Sequence, residues 1–228
     1  MRVLSTKILL PNQRELLLNA GVQFVEYNAI TITPAVFNIP DSVTHAIVTS
    51  QHGAKAILNA EYSIQHLYCV GEKTAALLIE NGLQPVQVAE NAAELAQCIV
   101  ANYPSAVFHY FCGTMRRDEL PHILQQAGIT CHEIIVYKTT LNYKVIPGVF
   151  DGILCYSPSG VDAFAKANSL SNTTAFCIGE TTAAQAKKYT ERVIVANSTR
   201  IESVIAKAVK TLKQEVMSPR AQSRGHVK

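Results

Sequence analysis

Three observations in this 228-residue sequence predict an α/β protein built of two similar parallel-sheet domains. Apolar strand-like runs alternate with Ala-rich helical stretches. The chain repeats itself at an offset near 107 residues, and the repeated blocks fall where strands give way to helices. Alternating strands and helices imply βαβ units and mostly parallel pairing.

The elements follow in order. Met1 to Leu10 opens with a short apolar run broken at Ser5, Thr6 and Lys7. Ala46-Ile47-Val48-Thr49 reads as a strand, and the stretch from about Gly53 to Leu58 as a helix. Leu67 to Val70 is the next strand, followed by a helix from Lys73 to Glu80 that Gly82 ends. Val107 to Phe111, Ile153 to Tyr156 and Ala175 to Ile178 each precede a further helical stretch.

The repeat shows in four blocks. Leu17, Ala20, Gly21, Val22 and Glu26 match Leu124, Ala127, Gly128, Ile129 and Glu133 at an offset of 107. Ser50 and Gly53 match Ser157 and Gly160 at the same offset. Val70-Gly71-Glu72-Lys73-Thr74-Ala75-Ala76 matches Ile178-Gly179-Glu180-Thr181-Thr182-Ala183-Ala184 at 108. Val86 and Val88 match Val193 and Val195, again at 107. Chance likeness between α/β units does not keep an offset so nearly constant.

Composition narrows the function. With 48% hydrophobic and 16% charged residues the chain has globular composition. No apolar run approaches the roughly 20 residues of a membrane span, and the start lacks the apolar region of a secretory signal. A cytoplasmic protein with no membrane partner is the expectation. The net charge of +3 sits entirely in Lys213, Glu215, Arg220, Arg224 and Lys228, leaving 16 basic and 16 acidic residues in balance before them. A nucleic-acid binder carries its basic face within the folded part, so no nucleic-acid partner is expected. The Ser-, Pro- and Gly-containing end, residues 215–228, reads as a disordered tail. Six cysteines without a CxxC pair read as buried free thiols, and seven histidines without metal spacing give no metal site. Asn172-Thr173-Thr174 and Asn197-Ser198-Thr199 fit a glycosylation pattern that has no meaning without secretion.

The repeated turns suit an anionic ligand. Ser50, Thr74, Ser157 and Thr182 are able to cap a helix and to donate a hydroxyl hydrogen bond. Gly71 and Gly179 permit close backbone approach. First-turn N–H groups and the helix dipole favour negative charge. Taken singly, each is an ordinary helix start; four at duplicated positions suggest a ligand with several anionic groups. Cys112-Gly113-Thr114-Met115-Arg116-Arg117 adds a fifth turn with two cations suited to carboxylates. Arg117 either faces that site or lies solvated on a helix face. Gly71-Glu72-Lys73-Thr74 lacks the first glycine of a phosphate-binding loop, no GxGxxG follows the first strand, and Ser157-Pro158-Ser159-Gly160 is no nucleophile elbow.

Taken in order, Ile47-Val48-Thr49-Ser50, Val70-Gly71-x-x-Thr74-Ala75, Cys112-Gly113-x-x-Arg116-Arg117, Val136-Tyr137-x-Thr139, Ser157-Pro158-Ser159-Gly160-Val161 and Ile178-Gly179-x-Thr181-Thr182-Ala183 resemble uroporphyrinogen-III synthase. The resemblance runs from about residue 1 to 212. It implies two flavodoxin-like α/β domains joined by a two-stranded linker, an active-site cleft between them, no cofactor and a monomer. It implies cyclisation of hydroxymethylbilane, a polycarboxylate, with loss of water and inversion of the last pyrrole. Tyr137 is then the candidate proton donor to the leaving hydroxyl; otherwise it is an aromatic packing at the domain junction. Ser50, Gly71, Thr74, Gly113, Arg117, Ser157, Gly160, Gly179, Thr181 and Thr182 are the candidate substrate-binding residues. Ser5-Thr6-Lys7 and Gln51-His52-Gly53 depart from the family's usual residues, which puts any role for Lys7 or His52 in doubt. The resemblance also implies crossed connections, with about 1–30 joining 141–214 in one domain and 31–140 forming the other. The linkers would lie near Ile30 to Pro34 and Ile134 to Thr140. The rival readings are a two-domain binding or sensor module that closes on an anionic ligand without chemistry, and an inactive paralogue of the same fold.

Overall fold

A computed structural model describes residues 1–40, 42–58 and 63–217. The chain begins with β1 (Arg2–Ser5), α1 (Pro11–Asn19), β2 (Gln23–Glu26) and β3 (Ile30–Pro34). Next come β4 (Ser42–Val48), α2 (Gln51–Leu58), β5 (Ser63–Val70), α3 (Glu72–Glu80), β6 (Gln87–Ala89) and α4 (Ala92–Asn102). The second copy of the repeat supplies β7 (Phe108–Gly113), α5 (Glu119–Gln126), β8 (Cys131–Leu141), β9 (Gly152–Cys155), α6 (Pro158–Ala165), β10 (Thr174–Cys177), α7 (Glu180–Ala186), β11 (Val193–Val195) and α8 (Ile201–Met217).

These elements form two compact units, one of Met1–Thr31 with Thr140 onward, the other of Ile32–Thr139. The first unit holds a sheet in the order β11-β10-β9-β1-β2. All its neighbours pair in parallel, as in Leu4 against Ile153 and Val25. The second unit's sheet runs β3-β8-β7-β4-β5-β6, and every pair from β8 to β6 is parallel. Numbered in chain order within each unit, the parallel strands of the first sheet run 2-1-3-4-5 and those of the second 3-2-1-4-5, both orders of doubly wound α/β sheets. The repeat offset carries β1 to β7, β2 to the start of β8, and β4, β5 and β6 to β9, β10 and β11. The first sheet therefore takes two strands from the first copy and three from the second, and the second sheet takes four from the first copy, β3 included, and two from the second.

Parallel sheets are covered on both faces, so their strands are apolar throughout. Every residue of β9 and β10 is buried. Side-chain alternation sorts them onto two faces. Val3, Leu154 and Phe176 pack against Leu17 of α1 and Val204, Ile205 and Ala208 of α8. Leu4, Ile153, Cys155, Ala175 and Cys177 pack instead against Val161 and Phe164 of α6 and Ala183 and Ala186 of α7. The second unit repeats the arrangement. Ile47, Tyr68, Phe108, Tyr110 and Cys112 face α4 and α5 through Leu95, Ile99, Leu120 and Leu124. Ala46, Val48, Leu67, Cys69 and Phe111 face Ala54 and Ile57 of α2 and Ala75 and Leu78 of α3. Each fully buried large aliphatic or aromatic side chain contributes about 1.5–3 kcal/mol.

Four of the six cysteines are buried, Cys98 and Cys131 are half-buried, and all six are free. Helix α8 runs to Met217, so residues 215–217 belong to an ordered helix rather than to the expected tail; its remainder lies outside the described residues. Among the described residues no helix is long and apolar enough to cross a membrane.

Candidate active site

In an open parallel sheet the carboxyl ends of the strands form the binding edge, and the crevice opens where strand order reverses. In the second unit that point lies between β7 and β4, which pair side by side. Ser50 follows β4 and Gly113 ends β7, so the fold brings these two candidates to one place.

Tyr137 arrives there through an irregularity in β8. Cys112 pairs with Ile135, but the next residue, Gly113, pairs with Tyr137, so Val136 is an extra residue in the ladder. In a regular strand Ile135 and Tyr137 would share a face. Instead Ile135 packs on the α4–α5 side, whereas Ile134, Val136 and Tyr137 all pack on the α2–α3 side. Such bulges re-aim side chains. The re-aimed ring lies over Gly113, where a Cβ would fall within 2.8 Å of Tyr137 Cδ2 and closer still to Cε2 and Cζ. Its hydroxyl is 3.2 Å from Ser50 Oγ. The exposed His52 ring lies 5.4 Å from the Tyr137 ring, centroid to centroid, so this departure from the family pattern sits at the site. Thr114 ties the strand end down, its N–H donating to Tyr137 O at 3.2 Å and its Oγ1 accepting from Thr139 N at 3.0 Å.

Ser50 and Ser157 do cap helices. Gly53 N donates to Ser50 Oγ and Gly160 N to Ser157 Oγ, both at 3.0 Å, so the two copies share one cap geometry. Both glycines pack closely: a Cβ at Gly53 would meet Phe111 O at 2.9 Å, and one at Gly160 would meet Ser157 Oγ at 3.1 Å. Thr74 and Thr182 do not cap. The N-cap positions belong to Gly71 and Gly179, and each threonine is the third residue of its helix, only 5% and 2% exposed. The two glycines also differ. Gly71 has a φ of +86°, which favours glycine, whereas Gly179 has an extended φ of −172° that any residue adopts. Thr181 lies between Gly179 and Thr182 on the exposed side of the first turn of α7.

Arg116 and Arg117 are not on a helix, because α5 begins only at Glu119. Arg116 is held by Glu133, with Nε donating to Oε2 at 2.6 Å, and by Asp118. Arg117 is exposed in the same loop. In the first unit the Ser157–Gly160 turn lies near the residue after β1: a Cβ at Gly160 would fall 3.6 Å from Thr6 Oγ1, which donates to Leu154 O at 2.9 Å. Thr6 stands at the repeat position of Gly113, and Ile30 at that of Tyr137. The first copy thus lacks both the gap and the phenol. Sequence reasoning missed Gly113 as a seat for the ring and Thr6 as its counterpart; the offset of 107 contained both.

Tyr110 of β7 offers no exposed phenol. It is buried, its hydroxyl pairs with Thr49 Oγ1 at 2.7 Å, and burial pushes its phenol up to about 12. Among the described residues no group of three or more His, Cys, Asp or Glu side chains stands ready to hold a metal.

A family model described as uroporphyrinogen-III synthase HemD matches residues 13–206. Two solved structures are similar in fold. A mutant uroporphyrinogen III synthase from the extremely thermophilic bacterium Thermus thermophilus aligns over 94% of this chain and 99% of its own, with a TM-score of 0.69 and 14% identity. The uroporphyrinogen-III synthetase of Helicobacter pylori aligns over 92% and 100%, with a TM-score of 0.67 and 17% identity.

Proposed function

The chain belongs to the uroporphyrinogen-III synthase family, cyclising lyases of haem biosynthesis, and from that premise we propose how its own residues perform the reaction. The substrate is hydroxymethylbilane, a linear tetrapyrrole with an acetate and a propionate on every pyrrole. The non-catalytic binding module is disfavoured by a family match that spans most of the chain.

Tyr137 is the proton donor. Its O–H proton passes to the hydroxymethyl oxygen, the C–O bond breaks, and its electron pair leaves with water. The substrate becomes an azafulvene cation and the tyrosine a phenolate. The substituted carbon of the last pyrrole attacks the methylene carbon of this cation, giving a spiro intermediate that rearranges with that ring inverted. The proton lost when the ring regains aromaticity restores the phenol. No cofactor enters any step, and catalysis is orientation plus one acid.

Binding of the carboxylates falls to the strand ends. On the second unit we assign it to the first-turn amides of α2 and α3, with Gly71 giving close backbone access and Arg117 an exposed guanidinium. Ser50 and Gly113 act there beside Tyr137. On the first unit it falls to the Ser157–Gly160 turn and to Gly179, Thr181 and Thr182 at the start of α7. Thr74 and Thr182, being nearly buried, offer a ligand only the edge of a hydroxyl.

The observation that carries this reading is the Tyr137 hydroxyl, aimed by a bulge onto the switch point and set against Ser50 at 3.2 Å. The test uses freshly generated hydroxymethylbilane, with products separated as isomers I and III. Isomer III is expected from the parent. Tyr137→Phe is expected to lower kcat by roughly 10²–10⁴-fold, the usual contribution of a positioned acid. A parent that yields only the spontaneous isomer I would sink the enzyme reading. A Tyr137→Phe protein as fast as the parent would sink the assignment of the donor.

A further inference from the structure

We propose that Ser50 is a positioning residue that sets the direction of the Tyr137 proton: its hydroxyl donates to the phenol oxygen and leaves the phenolic proton free for the leaving group. The proposal rests on Tyr137 being the acid, and adds the device that makes its proton available.

The argument is a count of donors and acceptors. A serine hydroxyl has one proton and two lone pairs. Gly53 N–H occupies one lone pair of Ser50 Oγ at 3.0 Å. The 3.2 Å contact with Tyr137 then has two possible directions. If the phenol donates, its only proton is held inside the protein and must leave one hydrogen bond before it reaches substrate. If the serine donates, the phenolic proton is free. The same serine O–H then also stabilises the negative charge that grows on the phenol oxygen as the proton departs.

Two further features favour the second direction. The ring needs no help from Ser50 to stay in place, since the bulge at Val136 and the gap above Gly113 already locate it. And Ser50 Oγ is itself fixed at the start of α2, where helix amides and dipole favour an anion on the phenol side. The first unit supplies the contrast. Ser157 makes the same 3.0 Å cap to Gly160, but Ile30 stands at the position of Tyr137, so there the serine has no phenol to direct. The cap explains a serine at both positions; the contact with a phenol exists only at Ser50.

The test is a mutant cycle on the full chain: parent, Ser50→Ala, Tyr137→Phe and the double variant, with kcat and KM measured for isomer III. If Ser50 acts through Tyr137, Ser50→Ala lowers kcat by about tenfold or more with KM within about twofold, and the double variant matches Tyr137→Phe within about twofold. Ser50→Thr, which keeps both donor and acceptor, restores most of kcat. Because Ser50→Ala also loses the helix cap, Ser50→Gly serves as the second variant: glycine is a good N-cap residue without a hydroxyl. It is expected to keep the thermal midpoint near the parent's and to be as slow as Ser50→Ala. A raised KM with unchanged kcat would make Ser50 a direct carboxylate ligand and overturn the proposal. So would a double variant slower than Tyr137→Phe by the full Ser50→Ala factor. A Tyr137→Phe protein as fast as the parent overturns the acid itself, a pattern distinct from either.

Discussion

A Cβ at Gly113 and the Tyr137 ring cannot occupy the same space. Gly113→Ala therefore has two consequences of different size. Overpacking a closely fitted site costs about 1–3 kcal/mol. The ring that must move, however, carries the proposed acid, so activity is expected to fall nearly as far as in Tyr137→Phe while the protein remains folded. Isomer III turnover and a urea unfolding curve on the same preparation separate the two effects; full activity in Gly113→Ala would show that the ring position does not matter. Tyr27 makes an opposite case. It is 7% exposed, packs against Phe164, and its buried hydroxyl has no hydrogen-bond partner among the described residues. Burial pushes its phenol up to about 12. Burying an unpaired polar group costs about 1–3 kcal/mol, so Tyr27→Phe is expected to unfold at an equal or higher urea concentration than the parent. A clear fall in the midpoint would mean that the hydroxyl has a partner.

Strands β4, β5, β7 and β8 carry two cross-strand histidine pairs, one on each face of the sheet. His45 stacks on His66 with ring centroids 5.1 Å apart, and its Nδ1 lies 3.0 Å from Tyr68 OH. His109 lies 5.4 Å from His132. Burial, and then the neighbouring histidine, hold both His45 and His109 below the usual imidazole value. A base whose folded pKa is depressed binds fewer protons folded than unfolded between the two values. Its stabilising contribution is therefore complete above about pH 6.5, the unfolded value, and is lost as pH falls through the lower folded values. Urea midpoints measured at pH 7.5, 6.5 and 5.5 are expected to fall in that order, with a flatter profile in His45→Gln. A midpoint that rises toward pH 5.5 would contradict the sign. Three of the strands carrying these pairs, β4, β5 and β7, are readable in sequence from their later residues, because apolar β-branched runs next to Ala-rich stretches leave little choice of element, whereas β8 is expected only as a linker near Ile134 to Thr140. The bulge in β8 is not readable. A one-residue slip of register has no composition of its own, and Val136-Tyr137 reads as an ordinary strand end. For the same reason Thr74 and Thr182 look like caps in sequence: a threonine three residues past a glycine does not reveal which of the two terminates the helix.

Two copies of one sequence plan build two sheets in which repeat-equivalent strands lie in the same spatial order, yet neither sheet is made of one copy. The repeat by itself does not mark this exchange, which only the family resemblance implies, and the reason is geometric. β1 and β7 are repeat-equivalent, and so are their neighbours β9 and β4, so the offset reads the same for either pairing. What fixes the actual arrangement is where the chain passes from one unit to the other, inside β3 between Thr31 and Ile32 and inside β8 between Thr139 and Thr140. One consequence is unequal dependence on chain continuity. The second unit is a single segment, Ile32–Thr139, of a length that normally suffices for an independent core, with buried clusters on both faces of its sheet. The first unit takes β1 and β2 from the beginning of the chain, and β1 lies between β9 and β2. Removing residues 1–31 deletes that central strand, together with Val3, Leu4 and Leu17 from two buried clusters. Loss of several large buried side chains at about 2–5 kcal/mol each is comparable with the roughly 5–15 kcal/mol that holds a typical domain folded. A chain starting at Ile32 is thus expected to keep a cooperative urea transition and hydrogen-exchange protection in β4, β5 and β7, and to lose protection in β9 and β10. Protected β9 and β10 in that truncated chain would mean that the first unit does not need its first strand, and that the exchange of strands between the copies is not what completes it.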